Sequence, residues 1–231
     1  MSLLTIVNAA TKRLGLGSLS AVVSSTNEIA IQMLALAQQE GIELAKRHTW
    51  QRITKEKTFT STAAAVQASS IPSDFDRFID GSFFNRTAKR HVEGPLTPQQ
   101  WQFAQSVVAT TIVEAFRQRG NDILITPTPA DTSTTYAYEY VSTQWCESSG
   151  GTDQSAWAAD SDTGLLSEEL MTLGLIWRFM RAKGYDYAES YRSYELALLQ
   201  AMSRDGGKPT LRAGNSHMKR GIYVPDGNWD L

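Results

Sequence analysis

The segment Leu165 to Gly207, LLSEELMTLGLIWRFMRAKGYDYAESYRSYELALLQAMSRDGG, constrains the fold more than any other part of the chain. Leu166, Leu170, Leu173, Trp177 and Met180 recur at spacings of four and three, which places them on one face of an α-helix. Glu168 and Glu169 fall in its first turn, Arg178, Arg181 and Lys183 in its last, and Gly184 follows as the stop. Acids at the start and bases at the end complement the helix dipole. Tyr187, Tyr191, Tyr194, Leu198 and Met202 repeat the spacing, and Gly206-Gly207 closes this second helix. Two apolar stripes joined at a glycine predict a helical hairpin, and neither stripe can bury itself.

A third stripe lies near the other end. Ser25-Thr26-Asn27-Glu28 has the form of a capping box, and Ile29, Met33, Leu36, Ala37, Leu44 and His48 carry a helical period from it. Leu3 to Leu14 predicts a shorter helix, closed by Gly15 and Gly17. Those glycines open no phosphate loop, because no Gly-Lys-Ser/Thr follows them.

Between the helical ends the period changes to two. Strands are expected over Arg52–Thr60, Phe78–Asn85 and Arg90–Glu93, with a small-residue loop at Ser61–Ser70. Thr97-Pro98-Gln99-Gln100 caps a brief helix. Phe116–Ile125 reads as a hairpin turning at Gly120-Asn121-Asp122, and Thr135–Thr143 as a strand with Tyr136, Tyr138 and Tyr140 on one face. The Ser-, Asp- and Gly-rich stretch 147–162 predicts a long polar loop. The expected fold class is therefore α+β. A helical bundle comes from residues 1–50 and 163–205, an antiparallel β-rich insertion from 51–146, and an extended C-terminal tail from 206–231.

Composition fits a folded protein: 231 residues, 42% apolar and 20% charged. No apolar run approaches the roughly 20 residues of a membrane span. Lys12 and Arg13 follow the short apolar stretch at the N-terminus instead of preceding it, unlike a secretory signal. One cysteine permits no internal disulfide, which fits assembly in a reducing cytoplasm. A net charge of −2 argues against a chain whose main task is to grip phosphates. The distribution says more than the total. From Gly120 to Trp177 there are nine acids and no Lys, Arg or His, while bases cluster at Lys46, Arg47, Arg52, Lys55 and Lys57 and at Arg86, Lys89 and Arg90.

No set of residues has the spacing of an active site. Cys146 has no histidine within a signature around it, and His48, His91 and His217 lack metal-ligand spacing. Asp74 with Asp76, and Glu168 with Glu169, are explained as caps and first-turn acids. The three tyrosines could stack on bases, but no cation lies within 15 positions of them, so a face packed on protein is expected. No catalytic residue, cofactor site or metal site is predicted.

Several words along the chain resemble the head-to-tail adaptor (connector) proteins of short-tailed bacteriophages. They are Ile71-Pro72-Ser73-Asp74-Phe75-Asp76-Arg77-Phe78, Phe116 to Ile125, Leu173-Gly174-Leu175-Ile176-Trp177-Arg178, Ala182-Lys183-Gly184-Tyr185-Asp186-Tyr187-Ala188, Tyr194-Glu195 and Ser203-Arg204-Asp205-Gly206-Gly207. Their order covers residues 71–207. The resemblance implies a non-enzymatic virion protein at the head–tail junction, assembled in the host cytoplasm. It further implies a ring of about twelve copies between portal and tail nozzle, with double-stranded DNA passing through the lumen without specific binding.

On that reading, the separated charge blocks suggest a contact between unlike faces of neighbours, with Arg86, Lys89 and Arg90 facing Asp153, Asp160 and Asp162. Residues 206–231 have no helical or strand period. They hold four Lys or Arg against two Asp, and carry the apolar residues Met218, Ile222, Tyr223 and Trp229. This pattern suits a segment that docks on a partner, here the portal. The alternative is a DNA-binding packaging accessory protein that uses Lys46–Lys57 and Arg86–Arg90 as a phosphate-contacting patch.

Overall fold

The computed structural model describes residues 2–106 and 113–206. They form a mixed α+β protein that divides into two compact units, the first built from residues 2–54 and 142–206, the second from 55–106 and 113–141.

The first unit holds α1 (Leu3–Arg13), α2 (Glu28–Arg47), a 3-10 turn at Gln51–Ile53, and two helices at the other end of the chain. Ser2 caps α1 through the Thr5 N–H. Asn27, not Ser25, caps α2: its Oδ1 accepts from the Ile29 N–H at 2.8 Å. The helix therefore starts at Glu28, and the Ser25 hydroxyl serves the Asn27 N–H one turn early. The C-terminal helices span Glu168–Ala182 and Ala188–Arg204, separated at Gly184, whose φ of +74° suits a residue without a side chain. The second unit holds β1 (Thr54–Thr60), β2 (Val66–Gln67), β3 (Phe75–Phe78), β4 (Phe84–Asn85), β5 (Arg90–His91), α3 (Pro98–Ser106), β6 (Ala115–Arg119), β7 (Asp122–Thr126) and β8 (Thr135–Ser142). Three further short strands, β9 (Cys146–Glu147), β10 (Asp153–Gln154) and β11 (Thr163–Gly164), lie in the first unit, and its last helices are α4 and α5 in chain order.

The helix α4 contacts α1, α2 and α5. The sequence predicts one apolar stripe on it, yet Met171, Thr172, Gly174, Leu175, Arg178 and Phe179 are buried as well as Leu170 and Trp177. A helix covered on several sides needs apolar or paired residues nearly all round, so its stripe understates its burial. On α5 the reverse holds. Of the predicted stripe only Tyr194 and Leu198 are buried, while Tyr187 and Tyr191 lie against the edge of Trp177 and stay partly exposed.

The polar stretch 147–162, expected as loop, contains β10, which joins β9 and β11, at the two ends of the stretch, in a small antiparallel sheet of order β10-β9-β11. It also ties the first unit together. The Leu3 and Leu4 N–H groups donate to the carbonyls of Asp162 and Asp160, and Gln38 bonds both Ser155 and Trp157. Trp145 lies so close over α2 that a Cβ on Gly41 would meet its ring at 2.3 Å.

In the second unit, one sheet runs β1-β8-β4-β5 with β3 also on β8, and another runs β2-β7-β6. The predicted strand Phe78–Asn85 is broken: β3 ends at Phe78, Gly81 turns the chain at φ +70°, and β4 is only Phe84–Asn85. The hairpin β6–β7 pairs Phe116 with Ile125 and Arg119 with Asp122. Tyr136, Tyr138 and Tyr140 face inward with Phe83, Val92, Phe116, Ile123 and Ile125, and Phe59, Phe75 and Phe78 pack on this core. The Tyr138 hydroxyl donates to the Ser70 carbonyl at 2.7 Å and that of Tyr140 to Asp74 Oδ1 at 3.0 Å, so the buried polar ends are satisfied.

Candidate functional site

Cys146 is fully buried, its Sγ donates to the Gln154 carbonyl at 3.3 Å, and burial pushes its pKa up to about 12. Such a thiol carries almost no thiolate at neutral pH. No group of His, Cys, Asp or Glu suited to a metal ion occurs among the described residues. His48 sits at the end of α2 with its Nε2 3.5 Å from Asp205, His91 lies on β5, and His217 falls outside the described residues.

The densest polar constellation is structural. Glu40, buried on α2, accepts from Arg178 Nε at 2.7 Å and from the Tyr194 hydroxyl at 2.8 Å. Arg178 also donates from Nη2 to Glu43 at 2.8 Å, and its guanidinium lies 4.5 Å from the Trp177 ring centroid. One cluster thus joins α2, α4 and α5. Burial raises the Glu40 carboxyl above the usual glutamate range, against the opposing pull of Arg178. The hydrogen bond from Arg178 lowers Glu43. Gly174 makes the cluster possible, because a Cβ there would lie 2.2 Å from Glu40 Cδ. The sequence assigns Arg178 to the helix dipole; the structure places it in this buried pair instead, and no local pattern announces a partner 138 residues away.

The predicted contact residues divide. The β4–β5 hairpin brings Arg86, Lys89 and Arg90 together. Arg86 pairs with Glu56 on β1, Lys89 is exposed at the tip with φ +54°, and Arg90 is half-buried on β5. Asp153 is half-buried on β10. Asp160 and Asp162 bond to backbone of their own chain. Asp160 accepts from the Val22 and Val23 N–H groups at 3.0 and 2.8 Å. Asp162, 2% exposed, accepts from Ala158 and Ala159 at 2.7 and 2.8 Å. Asp162 closes a turn of its own segment, the usual use of an aspartate in a Gly- and Ser-rich stretch, whereas Asp160 ties that segment to the residues ahead of α2. Met218, Ile222, Tyr223 and Trp229 lie outside the described residues.

Two surface features went unread in the sequence. The outer face of α5 exposes Leu196 (53%) and Leu199 (60%), opposite the buried Tyr194 and Leu198. The signal was present, as two leucines off the stripe of an otherwise polar face. In the second unit, a groove of about 500 Å³ is lined by Glu56, Asp80, Phe84, Arg86 and Glu139. Three cations of the alternative phosphate-contacting patch are paired within the chain: Arg47 with Glu195, Lys55 with Asp74 and Arg86 with Glu56.

No helix among the described residues is long and apolar enough to cross a membrane. A family model described as SU10 adaptor protein matches residues 1–218, and no curated protein matches the chain.

Proposed function

The chain belongs to the SU10 adaptor protein family, and from that premise we propose that it is one subunit of a ring joining capsid portal to tail nozzle, with DNA passing through the lumen. Its role is structural and the family is one of phage adaptors. The mechanism is geometric: unlike faces of neighbouring copies, about twelve of them, meet repeatedly until the ring closes. Arg86, Lys89, Arg90 and Asp153 are proposed as charged residues of that contact, and Met218, Ile222, Tyr223 and Trp229 as the portal-docking anchors.

The observation that carries the reading is the outer face of α5. Leu196 and Leu199 stand in water on a helix anchored by two buried side chains, an arrangement suited to a surface that a neighbouring protein covers. The test is the mass of the purified protein, alone and with portal-bearing particles. Wild type forms rings or attaches to the particles. Leu196→Glu with Leu199→Glu keeps its melting curve and loses assembly, and deletion of residues 208–231 keeps the fold and loses attachment. A wild-type chain that stays monomeric and ignores portal-bearing particles refutes the proposal. Salt-dependent retention of DNA by the lone subunit would favour the packaging-accessory alternative, against which the paired state of Arg47, Lys55 and Arg86 already weighs.

A further inference from the structure

The second unit carries two charged surfaces without ion-pair partners among the described residues. The groove beside β8 holds Asp80 and Glu139, neither of which forms an ion pair among the described residues, whereas Glu56 on the same rim is taken by Arg86. Glu139 faces outward because β8 alternates there, with Tyr138 and Tyr140 buried on either side of it. Phe84 also lines the groove.

In the other sheet of the unit, the β6–β7 hairpin is anchored by Phe116, Ile123 and Ile125 in the aromatic core. Its end projects beyond that anchor. Arg117 and Arg119, two residues apart and so on one face, form no ion pair among the described residues, and Asp122 opposite Arg119 does not supply one. Gly120 turns the tip at φ +63°, with nothing within 4 Å of where a Cβ would stand. The tip is narrow, basic and open.

We propose that the acidic groove of one copy receives the β6–β7 hairpin of a second copy, with Arg117 and Arg119 set against Asp80 and Glu139. The inference rests on the ring reading and names one contact through which unlike faces meet. Charge complementarity selects the occupant: the groove repels phosphates, and the cations that match it are carried by this same chain on a different sheet. A groove and a plug at separate places on one unit form a heterologous contact, which repeats from copy to copy until it closes.

The experiment uses the full chain in four forms: wild type, Arg117→Glu with Arg119→Glu, Asp80→Lys with Glu139→Lys, and all four changes together. Sedimentation and native mass report assembly, and circular dichroism checks the fold. Each double variant should weaken self-association by roughly tenfold or more, since like charges then face each other. The fourfold variant, and an equimolar mixture of the two double variants, should regain it. A chain carrying Arg119→Cys and Glu139→Cys should form interchain disulfide ladders on mild oxidation, the native Cys146 being buried. Wild-type rings alongside equally stable rings from both double variants, with no interchain disulfide, overturn this contact and leave the ring reading standing. A wild type that never assembles overturns both.

Discussion

At the scale of single residues, Gly174 sets the sign of an otherwise favourable change. Glycine to alanine inside a helix ordinarily gains about 1 kcal/mol. Here the added Cβ would fall 2.2 Å from Glu40 Cδ, which can give way only by disturbing its bonds to Arg178 and Tyr194, so Gly174→Ala should cost about 1–3 kcal/mol in denaturant melts. A stabilised variant would show that Glu40 can move aside. Glu40 itself predicts a pH dependence. Burial raises its folded pKa, so as pH falls the native state takes up this proton before the unfolded chain does. Stability arising from that shift is fully present below the ordinary glutamate range and declines as pH rises through the folded value. Glu43, lowered by Arg178, runs the other way: its contribution stands above the ordinary range and is lost as pH falls through its folded value. The advantage of wild type over Glu40→Gln should therefore shrink as pH rises from the glutamate range towards neutrality. Melts in which it grows instead would mean that Arg178 holds the carboxylate ionised more strongly than burial opposes it.

At the scale of elements, α4 and α5 differ in how much they bury, although their sequences look alike in period. Leu170 on α4 and Leu198 on α5 are both buried, and truncating either to alanine should cost roughly 2–5 kcal/mol; two neutral variants in urea would refute this packing. Beyond that pair, α4 packs on α1, α2 and α5, while α5 packs mainly on α4 and is tied to α2 by Tyr194–Glu40 and Arg47–Glu195. Amide exchange should accordingly be faster along α5 than along the middle of α4. Uniform protection across both helices would contradict that ranking. In the second unit, β8 carries the aromatic face at the centre of its core. The tyrosine spacing predicted that face, but not which rings would meet it, since Phe59 and Phe116 come from strands 57 residues apart.

At the scale of the whole molecule, the charges matter more for assembly than for folding. Exposed pairs such as Arg86 with Glu56 contribute little to stability, whereas a contact built on Arg117, Arg119, Asp80 and Glu139 is screened by salt. Self-association should weaken as sodium chloride rises while the melting temperature of the subunit stays nearly constant. Rings indifferent to salt would point to the apolar face of α5 as their main contact instead. The sequence by itself determined what near neighbours decide: the start of α3 at Thr97-Pro98, the stop at Gly184, the turn at Gly120 and the inward face of β8. Each depends on backbone geometry or spacing within a few residues, which any stretch carries with it. Only the tertiary structure decided that Arg178 is a buried partner of Glu40, that Asp160 takes the N–H groups of Val22 and Val23, and that Leu196 and Leu199 are left in water. A charge or a leucine has the same local signature whether it is paired, buried or exposed, because its desolvation and its partner are set by packing, as for Arg178 and Glu40, 138 residues apart.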